Sequence, residues 1–269
     1  MDSPSLLNPW TFDPLQVVPT VIVAVLYFRR TQTLAARGQP VSRWKQLSFW
    51  TGIALVMLAL DSPVDALGEE HFFFVHMLQH VILGDLAPLC FMAGLSGPIL
   101  QPVLKLPGVD RLRVLAHPLV ALPLWAGAFV VWHLNGPYEA TLDNSFLHAA
   151  EHFSFFFAGA LMWAAVFEPL PGPAWFGTGA KAVYVLAVRA IGMGIANVFI
   201  WSGAGKRLGG LIMFTEGGIV TLVVFAWLFL RWDREAEFRQ QLIERGHDPA
   251  QARRTARHWP RLPQRGGQP

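Results

Sequence analysis

Apolar residues run along this chain in long blocks separated by short polar stretches. Neither the two-residue alternation of a half-buried strand nor the one-sided stripe of a water-soluble helix prevails. A helix crossing the hydrocarbon core of a bilayer needs about 20 mostly apolar residues. Seven blocks are read as such helices, the first least well: Leu15 to Phe28, Leu47 to Leu60, His71 to Leu95, Leu119 to Leu134, Phe146 to Phe167, Ala182 to Trp201 and Leu211 to Leu230. The pattern predicts an all-α fold, a polytopic membrane bundle of seven transmembrane helices over residues 1–232. A basic cytoplasmic tail, partly disordered, follows over 233–269.

The polar stretches orient the bundle. Arg29, Arg30, Arg37, Arg43 and Lys45 separate the first two blocks, and Lys105, Arg111 and Arg113 separate the third from the fourth, so both connections belong on the cytoplasmic side. The alternate connections carry Asp61, Asp65, Glu69 and Glu70, then Glu139 and Asp143, and face outward. Arg231, Arg234 and Arg239 after the last block put the C-terminus inside and the N-terminus outside; Lys206 and Arg207 alone run against the scheme. Trp10, Trp132 and Trp201 mark the outer boundary, and Trp44, Trp175 and Trp232 the inner one, as an aromatic belt does. No basic residue precedes Arg29, so the first block is read as a retained span.

Composition narrows the function. Of 269 residues 53% are hydrophobic and 14% charged, against roughly 25% charged in soluble domains. The small basic excess, 21 Lys and Arg against 18 Asp and Glu, sits at membrane edges, which points to lipid surroundings and to no nucleic-acid partner. The single cysteine, Cys90, rules out an internal disulfide and a Cys-x-x-Cys metal site. Phosphate-binding loops, dinucleotide fingerprints and nucleophile elbows are absent, so no catalytic residue is assigned and the chain is not expected to be an enzyme. Its lysines, Lys45, Lys105, Lys181 and Lys206, all fall outside span interiors, which argues against a retinal-type Schiff base.

Ionisable groups inside a span are costly and mark function by default. His76 and His80 in the third block stand four apart and share a helix face, and His148 and His152 repeat the spacing in the fifth. His133 closes the fourth. At 1.5 Å per residue, His133 and His148 lie within roughly 5 Å of the outer boundary and His76, His152 and His80 roughly 7 to 14 Å below it. Five imidazoles at one depth on three helices can supply a metal with three or four nitrogens, although interhelical hydrogen bonding explains such residues as well. Met77, Met193 and Met213 at compatible depths favour copper, and Glu151 is placed to orient a ring N–H. Asp85 and Arg189, each about 20 Å deep, are expected to pair with one another. Glu216 stays open between a protonated carboxyl and an oxygen ligand. His117 before Pro118 reads as a cap, and His71 as interfacial. Pro88, Gly94 and Gly97 are expected to kink and thin the inner half of the third helix. Gly192, Gly194, Gly217 and Gly218 are expected to allow close helix approach.

Read in order, Ser62-Pro63, His76-Met77-Leu78-Gln79-His80, Ala87-Pro88, Gly94, His117-Pro118, Trp132-His133 and His148 with Glu151-His152 resemble the multi-spanning CtaG family of cytochrome c oxidase assembly factors. The resemblance is specific through the fifth span and looser in the last two, where Glu216 interrupts the apolar pattern. It implies a multi-pass plasma-membrane protein that matures a haem–copper oxidase at the step of copper delivery. Its partners would be an oxidase subunit and a copper donor chaperone. The matching positions are His76, His80, His133, His148 and His152. Two other classes use histidines in this way: a b-type haem membrane redox protein, and a copper or proton permease gated by Asp85 and Arg189.

Overall fold

The computed structural model describes residues 10, 14–70, 72–109 and 111–257, and every regular element among them is helical. The first two blocks form α1 (Pro14–Ala36) and α2 (Arg43–Leu60), and the acidic connection behind them folds into α3 (Pro63–Glu70). The third block is built from α4 (Phe73–Val81), a π-turn (Ile82–Leu86) and α5 (Ala87–Gly94), followed by α6 (Gly97–Leu104) and a 3-10 turn (Arg111–Ala116). Next come α7 (Pro118–Trp132), α8 (Asn135–Asp143), α9 (Ser145–Phe167), α10 (Thr178–Trp201), α11 (Ala204–Glu244) and α12 (Pro249–Arg257). Among the described residues four helical segments are long and apolar enough to cross a membrane: Phe73–Gly94, α9, α10 and α11. α7 and α8 make a fifth if their pair, bent by 74°, is one span. His71 and residues 258–269, and with them the expectation of a partly disordered tail end, lie outside the described residues.

The third span runs as one helical segment of 22 residues, Phe73–Gly94, through Pro88. A proline in a helix lacks the N–H and crowds the carbonyl four residues back. Here the turn before it is widened, with the Ala87 N–H donating to the Ile82 carbonyl, and the proline enters at the second residue of α5. The thinning expected at Gly94 is present: a Cβ there would stand 2.7 Å from that of Phe49 on α2. Tyr27 of α1 stacks on Phe49 with centroids 3.5 Å apart and donates its hydroxyl to the Gly94 carbonyl at 3.3 Å, tying the first three blocks together.

The other expected close-packing glycines behave differently. A Cβ at Gly192, Gly194 or Gly218 would meet nothing within 4 Å, and at Gly217 only Arg189 at ordinary contact distance. Close approach falls instead at Gly159, whose Cβ would run into the Gly84 carbonyl, and at Gly210, whose Cβ would stand 2.6 Å from the Ala196 carbonyl. Counting residues by depth does not tell which helix faces oppose each other.

Helix α11 has 41 residues, roughly 60 Å at 1.5 Å per residue, twice a hydrocarbon core of about 30 Å. It runs unbroken past residue 232, and α12 packs back on it. Near its exit Arg231 pairs with Glu235 at 2.9 Å, and Thr178 donates to Glu235 at 3.1 Å. Lys181, expected outside the span interiors, lies in the first turn of α10 with its side chain 2% exposed and its Nζ 3.0 Å from Glu168. The helix of membrane-crossing length begins at Thr178 rather than at Ala182 and so includes Lys181, whose acidic neighbour sits in the αL cap that ends α9.

Candidate metal centre

Helix α4 stacks His76 and His80 one turn apart, with ring centroids 4.1 Å from each other, and α9 stacks His148 and His152 likewise at 4.2 Å. The two helices set the pairs face to face: His76 lies 5.7 Å from His148, and His80 lies 5.5 Å from His152. His133, the C-cap of α7, completes the group 6.2 Å from His80. All five rings form one contiguous cluster at one end of the bundle, where α4 and α9 begin and α7 ends.

Within the cluster, one ligating atom from each of His76, His80, His148 and Glu151 lies within 4.8 Å of the others. His152 and His133 stand beside this group of four rather than in it. The cluster is enclosed, with His76, His80, His152 and Glu151 buried and His148 half-buried. Both ring nitrogens of His80, and Nε2 of His133 and of His152, are buried with no hydrogen-bond partner among the described residues. An orphaned buried polar atom costs about 1–3 kcal/mol, and native structures avoid it unless water, an ion or chemistry accounts for it. His133 Nδ1 lies 2.6 Å from the Phe129 carbonyl. This bond puts the proton on Nδ1 and leaves the Nε2 lone pair free to ligate, the usual way a metal-binding imidazole is oriented. Imidazoles with one carboxylate suit first-row transition metals better than calcium or magnesium, so the donor set fits such an ion.

Glu151 was expected to orient a ring N–H; its Oε1 stands 3.7 Å from His80 Nε2, close enough to be a donor atom itself. Other residues that frame the site carry no periodic signal. Tyr138 on α8 covers His76, with ring centroids 5.9 Å apart. Gly68 of α3 lies so close that a Cβ there would stand 3.0 Å from the His76 backbone nitrogen. Gln79, fully buried between the two α4 histidines, donates to the Ala59 carbonyl at 2.9 Å and to Asp65 at 2.5 Å, fixing the rotation of α4 about its axis. Met77 and Met213 are buried in one apolar cluster beside the histidines, and Met193 lines the same cavity wall as Met213. His117 caps α7 by accepting the Leu119 N–H at 3.3 Å, as its place before Pro118 suggested. Lys206, the charge that ran against the orientation scheme, lies 6.0 Å over the ring of Phe73 and 5.8 Å over that of Phe199.

Beyond His80 along the third span, Asp85 and Arg189 form the expected ion pair. Two further residues join it: Trp163 donates its indole N–H to Asp85 Oδ1 at 2.6 Å, and Glu216 Oε2 lies 4.0 Å from Arg189 Nη1.

Apolar helices of membrane length around a buried cluster of imidazoles define a helical membrane protein with a metal-competent site. The sequence profile of the family described as cytochrome c oxidase caa3 assembly factor (Caa3_CtaG) matches residues 25–235, and the chain belongs to that family. The match takes in all five histidines and runs through the last two spans, where the motif resemblance was loosest. No curated protein and no solved structure matches the chain.

Proposed function

We propose that this protein binds copper at the imidazole cluster and passes it to a subunit of a haem–copper oxidase during assembly, as a transfer factor rather than an enzyme. The convergence of ligating atoms of His76, His80, His148 and Glu151 within 4.8 Å carries the reading. Membership of an oxidase assembly family supports the client, and the neighbouring methionine sulfurs favour copper among the metals that imidazole accepts. In this reading His133 and His152 are the additional nitrogens to which the ion moves on its way in or out. Transfer needs affinity that can be escaped, and a histidine set without thiolates supplies that.

The proposal also places the chain in the plasma membrane with seven spans, the N-terminus outside and the C-terminus cytoplasmic, and the cluster in the outer half. The alternation of basic and acidic connections supports this topology. A copper donor chaperone on the outer side is the expected source of the ion.

Metal analysis of the purified protein beside a variant with His76→Ala and His80→Ala tests the reading. Wild type is expected to bind copper in a defined stoichiometry that the double variant loses while its helical circular dichroism persists. Equal copper content in the two, or a stoichiometric Soret band in place of copper, overturns it.

A further inference from the structure

Asp85 on the π-turn, Arg189 on α10 and Glu216 on α11 meet at one point, with side chains only 13%, 9% and 14% exposed. Asp85 is well supplied with donors: Arg189 Nη1 on Oδ2 and the Trp163 indole on Oδ1. Glu216 is not, since its Oε2 lies 4.0 Å from the same guanidinium nitrogen and its Oε1 is buried with no hydrogen-bond partner among the described residues. The two carboxyl groups nonetheless face the same guanidinium nitrogen, Arg189 Nη1. Two carboxylates against one guanidinium would leave a net negative charge in a low-dielectric interior, and one proton removes it. Both close donors fall on Asp85 and none on Glu216, so the proton belongs to Glu216.

A cavity of about 40 Å³ joins this triad to the histidine cluster, lined by His80 and His133 on one side and by Asp85, Arg189 and Glu216 on the other. That volume admits water, for which roughly 10–15 Å³ suffices. Gly84, Gly192 and Gly217 line it where larger side chains would fill it. The titratable and charged groups that face it are His80 from α4, His133 from α7, Asp85 from the π-turn, Arg189 from α10 and Glu216 from α11; α9 contributes the neutral Trp163 at the triad. A π-turn within an otherwise regular helix often marks a functional position, and here it carries Asp85.

We propose that Glu216, held by Asp85 and Arg189, is a proton-binding site of the membrane interior whose proton leaves through the cavity when a cation enters the histidine cluster. The inference rests on the metal-binding reading above. An arriving positive charge raises the potential at Glu216 and favours its ionised form, and the departing proton keeps the buried region from accumulating charge. For a monovalent ion the exchange is electroneutral: one cation in, one proton out to water.

Infrared difference spectroscopy on the purified full chain, with Ag(I) as a redox-inert probe, tests this. Wild type without metal at neutral pH is expected to show the carbonyl stretch of a protonated carboxyl, shifted in D2O and missing from Glu216→Gln. One equivalent of Ag(I) is expected to abolish that band and release one more proton per ion, read by a pH indicator, than the same addition to Glu216→Gln. Identical spectra for the two proteins in this region overturn the proposal, as does a band that persists while Ag(I) binds. Failure of Ag(I) to bind overturns the metal reading and the exchange with it, whereas binding without exchange overturns the exchange alone. The D2O shift and the loss of the band are read on wild type, so a variant that fails to fold does not remove the test.

Discussion

Glu151 is fully buried among imidazoles, and its carboxylate either joins the ligand set or only orients it. Glu151→Gln keeps the shape and removes the charge. Copper affinity in a chelator competition is expected to fall by roughly 10- to 100-fold, the range seen when a group supporting a metal site is altered. Unchanged affinity would exclude Glu151 from the site. Two glycines make a second comparison. A Cβ at Gly159 would run into the Gly84 carbonyl, whereas at Gly192 it would meet nothing within 4 Å. Gly159→Ala is expected to destabilise the protein by about 1–3 kcal/mol, the usual cost of overpacking. Gly192→Ala is expected to be neutral or to stabilise by up to about 1 kcal/mol through helix propensity. Unfolding in mild detergent measures both, and equal effects would show that the helices are not packed through Gly159. The histidines were legible at this scale because their i, i+4 spacing fixes a shared helix face whatever surrounds it. Trp163 was not, because an aromatic residue in an apolar block looks the same whether it fills space or donates to a buried aspartate, and Tyr138 was not, because it lies in a connection between blocks.

Among the elements, the third span shows how a local rule can be met in two ways. Pro88 forbids a regular helical bond; the π-turn over Ile82–Leu86 accommodates it within one 22-residue helical segment and carries Asp85. Which outcome occurs depends on packing against α2 and α9, where Gly94 and Gly84 meet their neighbours. The junction of α9 and α10 depends in the same way on a contact between elements. Lys181 and Glu168, with side chains 2% and 9% exposed, join the start of one to the end of the other. Breaking a buried pair from one side costs about 3–5 kcal/mol, while replacing both partners is often nearly neutral. Lys181→Met is therefore expected to lower the unfolding midpoint sharply, and adding Glu168→Gln to recover much of the loss. A double variant no better than the single one would show that the pair is not what holds the junction.

For the whole molecule, the decisive quantity is the parity of membrane crossings. Among the described residues four helical segments are long and apolar enough to span, with a fifth if α7 and α8 count as one, and α1 and α2 carry the two remaining blocks of the expected seven. Seven crossings put the chain ends on opposite sides. With Cys90→Ser as background, a cysteine introduced at Trp10 is expected to react with an impermeant maleimide added outside intact cells, and one at Glu244 only after the cells are opened. Reaction of both from the same side would overturn the odd count and the sidedness of the cluster with it. α11 supports the expected asymmetry, because its 41 residues outrun one bilayer and end in a charged half bearing Arg231, Arg234 and Arg239.

Composition and block length alone determined that the chain is a bundle of membrane helices, because a hydrocarbon interior tolerates backbone polar groups only where a helix satisfies them internally. The histidine spacing determined which residues share a helix face. Family membership was likewise readable, because its motifs are ordered within single helices and loops. Which faces oppose each other was decided only by tertiary packing: it brought ligating atoms of His76, His80 and His148 into one site with Glu151, gave Glu216 its place beside Asp85 and Arg189, and moved the close contacts to Gly159 and Gly210. The physical reason is that depth and helical phase are properties of one helix, read along its own axis. Rotation and approach are properties of a pair, set by side chains that lie far apart in the chain.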